Sequence, residues 1–90
     1  MNMIVWKATL EPKNVQAVRM PRGAIILSAQ AQDNRPTIWF LCDSDEPMEE
    51  RSIALVTTGY TAPHPSEATF IGTVQLSGGS VVVHVFERTP

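Results

Sequence analysis

One cysteine, Cys42, and two histidines, His64 and His84, are the only thiol and imidazole side chains in this 90-residue chain. A lone cysteine forms no internal disulfide and cannot found a multi-cysteine metal site, and it suits a reducing compartment. No apolar run approaches the roughly 20 residues of a membrane helix. The opening Met-Asn-Met-Ile-Val-Trp reads as a strand and lacks the basic region of a signal peptide. Positive charge is scarce as well. Seven Lys and Arg face nine Asp and Glu, for a formal charge of −2. That balance argues against a protein that coats nucleic acid, which is normally basic.

What the chain does have is 43% hydrophobic residues cut into short pieces. A chain this size buries about two-thirds of its surface on folding, enough for one core without staples. No repeat or shift in composition divides it, so residues 1–90 read as a single domain. Between proline and glycine punctuation lie runs rich in Val, Ile, Thr and aromatics, each long enough for a strand and short for a helix. They predict strands at 3–10, 15–20, 24–31, 37–42, 52–58, 69–76 and 81–87. One segment has helix-start character: Pro47 behind acidic residues in Glu46-Pro47-Met48-Glu49-Glu50-Arg51, good for a turn or two. The fold class is therefore all-β, a small antiparallel sandwich or barrel of about five to seven strands with at most one short helical turn.

The C-terminal hairpin is the clearest local feature. Gly78-Gly79 fits the two positive φ values of a type I′ turn. That register sets Leu76 opposite Val81, Val74 opposite Val83 and Gly72 opposite Val85 on an apolar face. The other face then carries Gln75 opposite Val82, Thr73 opposite His84 and Ile71 opposite Phe86. Met20-Pro21-Arg22-Gly23 suits a type I turn between strands 15–20 and 24–31. Thr37-Ile38-Trp39-Phe40-Leu41-Cys42 is apolar on both sides, as in a central strand or one that packs on a partner chain. The second alternative implies a homo-oligomer.

In order, Trp6-Lys7, Leu10, Met20-Pro21, Gly23-Ala24, Ile26-Leu27-Ser28, Gln30 and Trp39 lead into the acidic turn Asp43, Asp45 and Pro47. Gly59, Phe70-Ile71-Gly72-Thr73-Val74-Gln75-Leu76, Gly79 and His84-Val85-Phe86-Glu87 follow. The pattern resembles a widespread family of small bacteriophage-encoded proteins with no assigned function. The resemblance implies a phage origin and a place in the host cytoplasm. It supplies no catalytic residues.

Chemistry-bearing residues are few. Cys42 ends an apolar strand, the usual setting of a buried, inert thiol. The acidic cluster Asp43, Asp45, Glu46, Glu49 and Glu50 lacks the spacing of an EF-hand. Neither a catalytic residue, a metal site nor a cofactor is expected. Arginines instead fall at turns, where a planar guanidinium suits phosphate or carboxylate. Strand-end Arg22, Arg35 and Arg51, Tyr60 and His64 in one loop, and Gln75 and His84 on the hairpin's polar face are the candidate ligand-binding residues. They suggest a non-enzymatic phage accessory protein that counters host defence by sequestering a small nucleotide-type signalling molecule. The alternatives are a protein–protein inhibitor of a host defence enzyme, using 37–42 as its contact, and a small virion or assembly component. A hydrolase has the least support.

Overall fold

Period-2 alternation carries through to seven strands in the computed structural model, which describes residues 2–90. They are β1 Met3–Thr9, β2 Val15–Pro21, β3 Ile25–Gln32, β4 Arg35–Asp43, β5 Met48–Thr57, β6 Ala68–Leu76 and β7 Val81–Arg88. Two antiparallel sheets result, one ordered β1-β4-β3 and the other β2-β5-β7-β6. The chain is an all-β sandwich. Among the described residues its one helical element is the 3₁₀ turn Ser77–Gly79. Among the described residues no helix is long and apolar enough to cross a membrane.

Strands β2 to β7 each bury apolar side chains in one core between the sheets. Ile38, Phe40 and Cys42 of β4 meet Val18 and Met20 of β2, Ile53 and Leu55 of β5, Val74 of β6, and Val83 and Val85 of β7. Leu10, from the β1–β2 connection, is fully buried among them. The sheets close on each other along β3 and β6. There the backbone at Gly72 comes so near Ala29 that an added Cβ would lie 3.2 Å from the Ala29 carbonyl oxygen. Bulges interrupt both strands of this seam, between Ile26 and Ser28 in β3 and between Phe70 and Gly72 in β6.

Strand 37–42 lies in the centre of its sheet, hydrogen-bonded on both sides. Its double-sided apolarity is thus satisfied within the chain, by the core on one face and by neighbours that half-cover Trp39 and Leu41 on the other. Residues 46–51 are not helical. Met48 begins β5, and Arg19 pairs with Glu50, Met20 with Glu49 and Val18 with Arg51 across the ladder. These cross-strand partners outweigh the local helix-start signal.

The Gly78-Gly79 turn forms as expected, with φ of 67° and 95°, and the register holds from Leu76–Val81 to Gly72–Val85. Beyond it the β6 bulge sets Phe70, not Ile71, opposite Phe86, and Ile71 packs on the core. The turn after β2 runs one residue later than expected. Ala24 N–H bonds to Pro21 O, which puts Gly23 (φ 81°) at the third position, the glycine position of a type II turn. A further tight hairpin joins β3 to β4 through Asp33 and Asn34, both left-handed at φ 52° and 58°. It extends these strands to Gln32 and Arg35, past the expected ends at 31 and 37.

Candidate functional site

The connection from β5 to β6 has unusual work to do. Both strands run antiparallel to β7, which lies between them. The two are therefore parallel to each other, and residues 58–67 must travel back along the sheet to start β6. This strap is anchored at both ends. Thr58 N–H bonds to Val82 O, Tyr60 N–H to Thr57 O, and the Thr89 N–H and hydroxyl both bond to Glu67 O. Glu67 N–H to His64 O makes a turn inside it.

Beneath the strap is a pocket of about 610 Å³. Its floor is the outer face of the second sheet, with Val15 from β2 and Ala54 and Val56 from β5. Arg88 of β7 and Asn14 stand at its sides, and Tyr60, Thr61 and Pro63 of the strap form its roof. Tyr60 is 76% exposed. Among the described residues Arg88 has no carboxylate within ion-pair distance. A volume of this order, an apolar floor and a few convergent polar groups are the usual make-up of a small-molecule site.

His84 adjoins the same face, opposite Val56 in the ladder. Its Nδ1 lies 2.9 Å from Thr73 Oγ1 and its Nε2 2.8 Å from Thr58 Oγ1. In a neutral ring one hydroxyl accepts from the N–H and the other donates to the bare nitrogen. The histidine thereby ties the first residue of the strap to β6.

The seven expected site residues do not converge. Tyr60 lines the pocket and His84 borders it. His64 rides on the strap, its Nδ1 accepting from the Ser66 N–H at 3.1 Å and lying 2.8 Å from the Ser66 hydroxyl. Arg22 lies in the β2–β3 turn, exposed and 3.5 Å from Glu46. Arg35 and Gln75 belong to the opposite end of the sandwich, near the β3–β4 and β6–β7 hairpin tips.

Arg51 faces inward. Its guanidinium engages both carboxylate oxygens of Glu87, donates from Nη1 to Ala24 O at 2.9 Å and lies 3.7 Å from Glu49. The hydrogen-bonded Glu87 holds Arg51 above even the ordinary guanidinium pKa. This cluster bridges the second sheet to the entry of β3, a structural clamp. Asn14, Thr57, Thr61 and Arg88 are the polar pocket residues that the sequence reading omitted. No local motif marks them, because only the course of the strap brings them together.

Cys42 is buried, and desolvation, with the Asp43 charge second, raises its thiol pKa above the usual value. Among the described residues no three His, Cys, Asp or Glu side chains cluster as metal ligands would.

A seven-stranded sandwich with a strapped pocket on one outer face is thus the class of structure. The chain matches the domain of unknown function DUF7352 over residues 1–90 and belongs to that family. No curated protein and no solved structure gives a significant match.

Proposed function

We propose that this protein is a non-enzymatic binding module that captures a small nucleotide-type anion beneath the strap. One observation carries the reading: Tyr60, on a strap anchored at both ends, shares a pocket of about 610 Å³ with Arg88, a guanidinium that no carboxylate among the described residues engages. An aromatic face for a base and a free fork for a phosphate are the two elements such a ligand needs. Thr61 and Asn14 add donors and acceptors at the rim, and Val15, Ala54 and Val56 supply a dry floor. His84 supports the strap from the side rather than contacting the ligand.

In this reading affinity, not turnover, is the activity, and the ligand is removed from circulation by being held. With the phage-like residue pattern, this fits an accessory protein that opposes host defence in the host cytoplasm by sequestering a signal. Isothermal titration with cyclic dinucleotides and ADP-ribose derivatives tests it. A dissociation constant below about 10 μM, roughly −7 kcal/mol, is expected for at least one of them. If none binds while a host protein co-purifies, the protein-inhibitor reading replaces this one.

A further inference from the structure

We propose that β1 is a self-pairing edge, through which two copies of this chain join their three-stranded sheets into one six-stranded sheet. A sheet edge offers a row of unpaired backbone groups, and proteins normally blunt it. Three of the four edges here are blunted. The β3 and β6 edges carry bulges and pack on each other, and β2 ends in Pro21. The fourth, β1, has neither bulge nor proline. It reads Met-Ile-Val-Trp-Lys-Ala-Thr, with one charge. That charge is drawn back from the edge, since Lys7 Nζ bonds to the Gln32 side chain across the outer face.

The side chains of β1 are as unfinished as its backbone. On the inner face Ile4 and Trp6 remain 39% and 37% exposed, although their ladder partners Cys42 and Phe40 are buried. On the outer face Met3 and Val5 are 49% and 52% exposed. The sandwich, closed along β3 and β6, stops short of covering this strand.

The ladder to β4 fixes which backbone groups point away. Ser44 N–H bonds to Asn2 O and Leu10 N–H to Pro36 O, both in the register that pairs Ile4 with Cys42 and Trp6 with Phe40. In an antiparallel ladder, hydrogen-bonded and open pairs alternate. The even-numbered residues of β1 therefore spend their backbone groups on β4, and Met3, Val5, Lys7 and Thr9 present theirs outward.

A second copy fits that pattern about a two-fold axis at Val5. Val5 then bonds Val5 of the other copy, and Met3 bonds Lys7, so no like charges oppose. Ile4 falls beside Trp6 in the open pair, an aromatic–β-branched contact of the favourable kind. On the outer face, Ile25, Leu41 and Val5 already stand in one cross-strand row. The axis extends it to six apolar residues over both chains. Centring the axis one pair later, between Val5 and Lys7 as partners, is also possible sterically, but it loses the Ile4–Trp6 pair. Centring on Lys7 would set two ammonium groups face to face.

Such pairing covers about half of the ~800 Å² per partner of a standard interface, so the dimer is concentration-dependent. Sedimentation velocity between about 5 μM and about 500 μM should show 9.9 kDa giving way to twice that mass. Val5→Pro removes only an outward N–H, at an edge where proline is tolerated, and should hold the chain monomeric with an unchanged circular dichroism spectrum.

Cross-linking reads the register without depending on that variant. Hydrogen-bonded partners lie about 5.5 Å apart at Cα, within disulfide reach, so Val5→Cys should oxidise to a covalent dimer. Lys7→Cys places its two thiols about 13 Å apart along the strands and should not. Monomer throughout the concentration range overturns the proposal, as does Lys7→Cys cross-linking as readily as Val5→Cys.

Discussion

Asn34 Oδ1 accepts a hydrogen bond from the backbone N–H of Ser77 at 2.6 Å. Each residue belongs to the tip of a hairpin, one in each sheet, and each is left-handed, at φ 58° and 51°. The contact pins the β3–β4 tip to the β6–β7 tip and locks the end of the sandwich. Asn34→Ala loses both the bond and a residue that tolerates this conformation, and should cost about 1–3 kcal/mol. Asn34→Gly keeps the turn and loses the bond alone, so it should cost less. Chemical denaturation of the two variants separates the contributions.

At the seam, Gly72→Ala must push a methyl group against the Ala29 carbonyl at 3.2 Å. Two backbones in contact cannot yield as a flexible side chain does. The expected loss is about 1–3 kcal/mol, seen as a lower denaturation midpoint.

Arg51→Met leaves Glu87 and the Ala24 carbonyl without their donor. The pair is a fifth to a quarter exposed, so the cost should fall below that of a fully buried ion pair, at about 1–3 kcal/mol. Adding Glu87→Leu removes the stranded carboxylate. The double variant should be more stable than the sum of the single losses predicts. The nucleotide binding proposed for the strap pocket should be unaffected by either change.

Tyr60→Ala and Arg88→Ala test the pocket itself. Both side chains are exposed, so neither change should move the melting temperature by more than a degree or two, given the small cost of surface substitutions. Each should weaken ligand binding by about tenfold or more, as expected when a stacking face or a charge-assisted bond is lost. Arg22→Ala and Arg35→Ala, outside the pocket, are the controls that should leave titration unchanged.

Cys42 should resist thiol reagents in the native protein at pH 8 and react only on unfolding, because it is 1% exposed and its thiol pKa is raised. The sign of the linkage follows. The folded state favours the protonated thiol, so this contribution to stability is complete below the unfolded thiol pKa and declines as pH rises through that value toward the folded one. Cys42→Ala should flatten that part of the pH profile of the denaturation midpoint, whatever its cost to packing.

Local chemistry decided which features could be read from the amino acids. Gly78-Gly79 announces its turn because only glycine adopts two positive φ values freely, and the hairpin register follows from it. Asp33-Asn34 makes a turn with the same two positive φ values, but Pro36 and the polar run around it read as a loop. The first half of β5 was obscured for a related reason. Pro47 with acidic neighbours is a local helix signal, and its cancellation comes from Arg19 and Met20, some 30 residues away in sequence. The pocket lies furthest from legibility. Arg88 is one charge near the end of a strand, and nothing near it in sequence indicates Tyr60 or Asn14.

The last strand in sequence, β7, is also the one that holds β5 and β6 together. During synthesis, then, the four-stranded sheet cannot assemble from the amino-terminal side as a meander could. Two strands that will be neighbours of β7 must wait, unpaired with each other, until residues 81–88 have left the ribosome. Closure of the four-stranded sheet therefore awaits β7, and a chain cut before Val81 would display the facing edges of β5 and β6 rather than a partial sandwich.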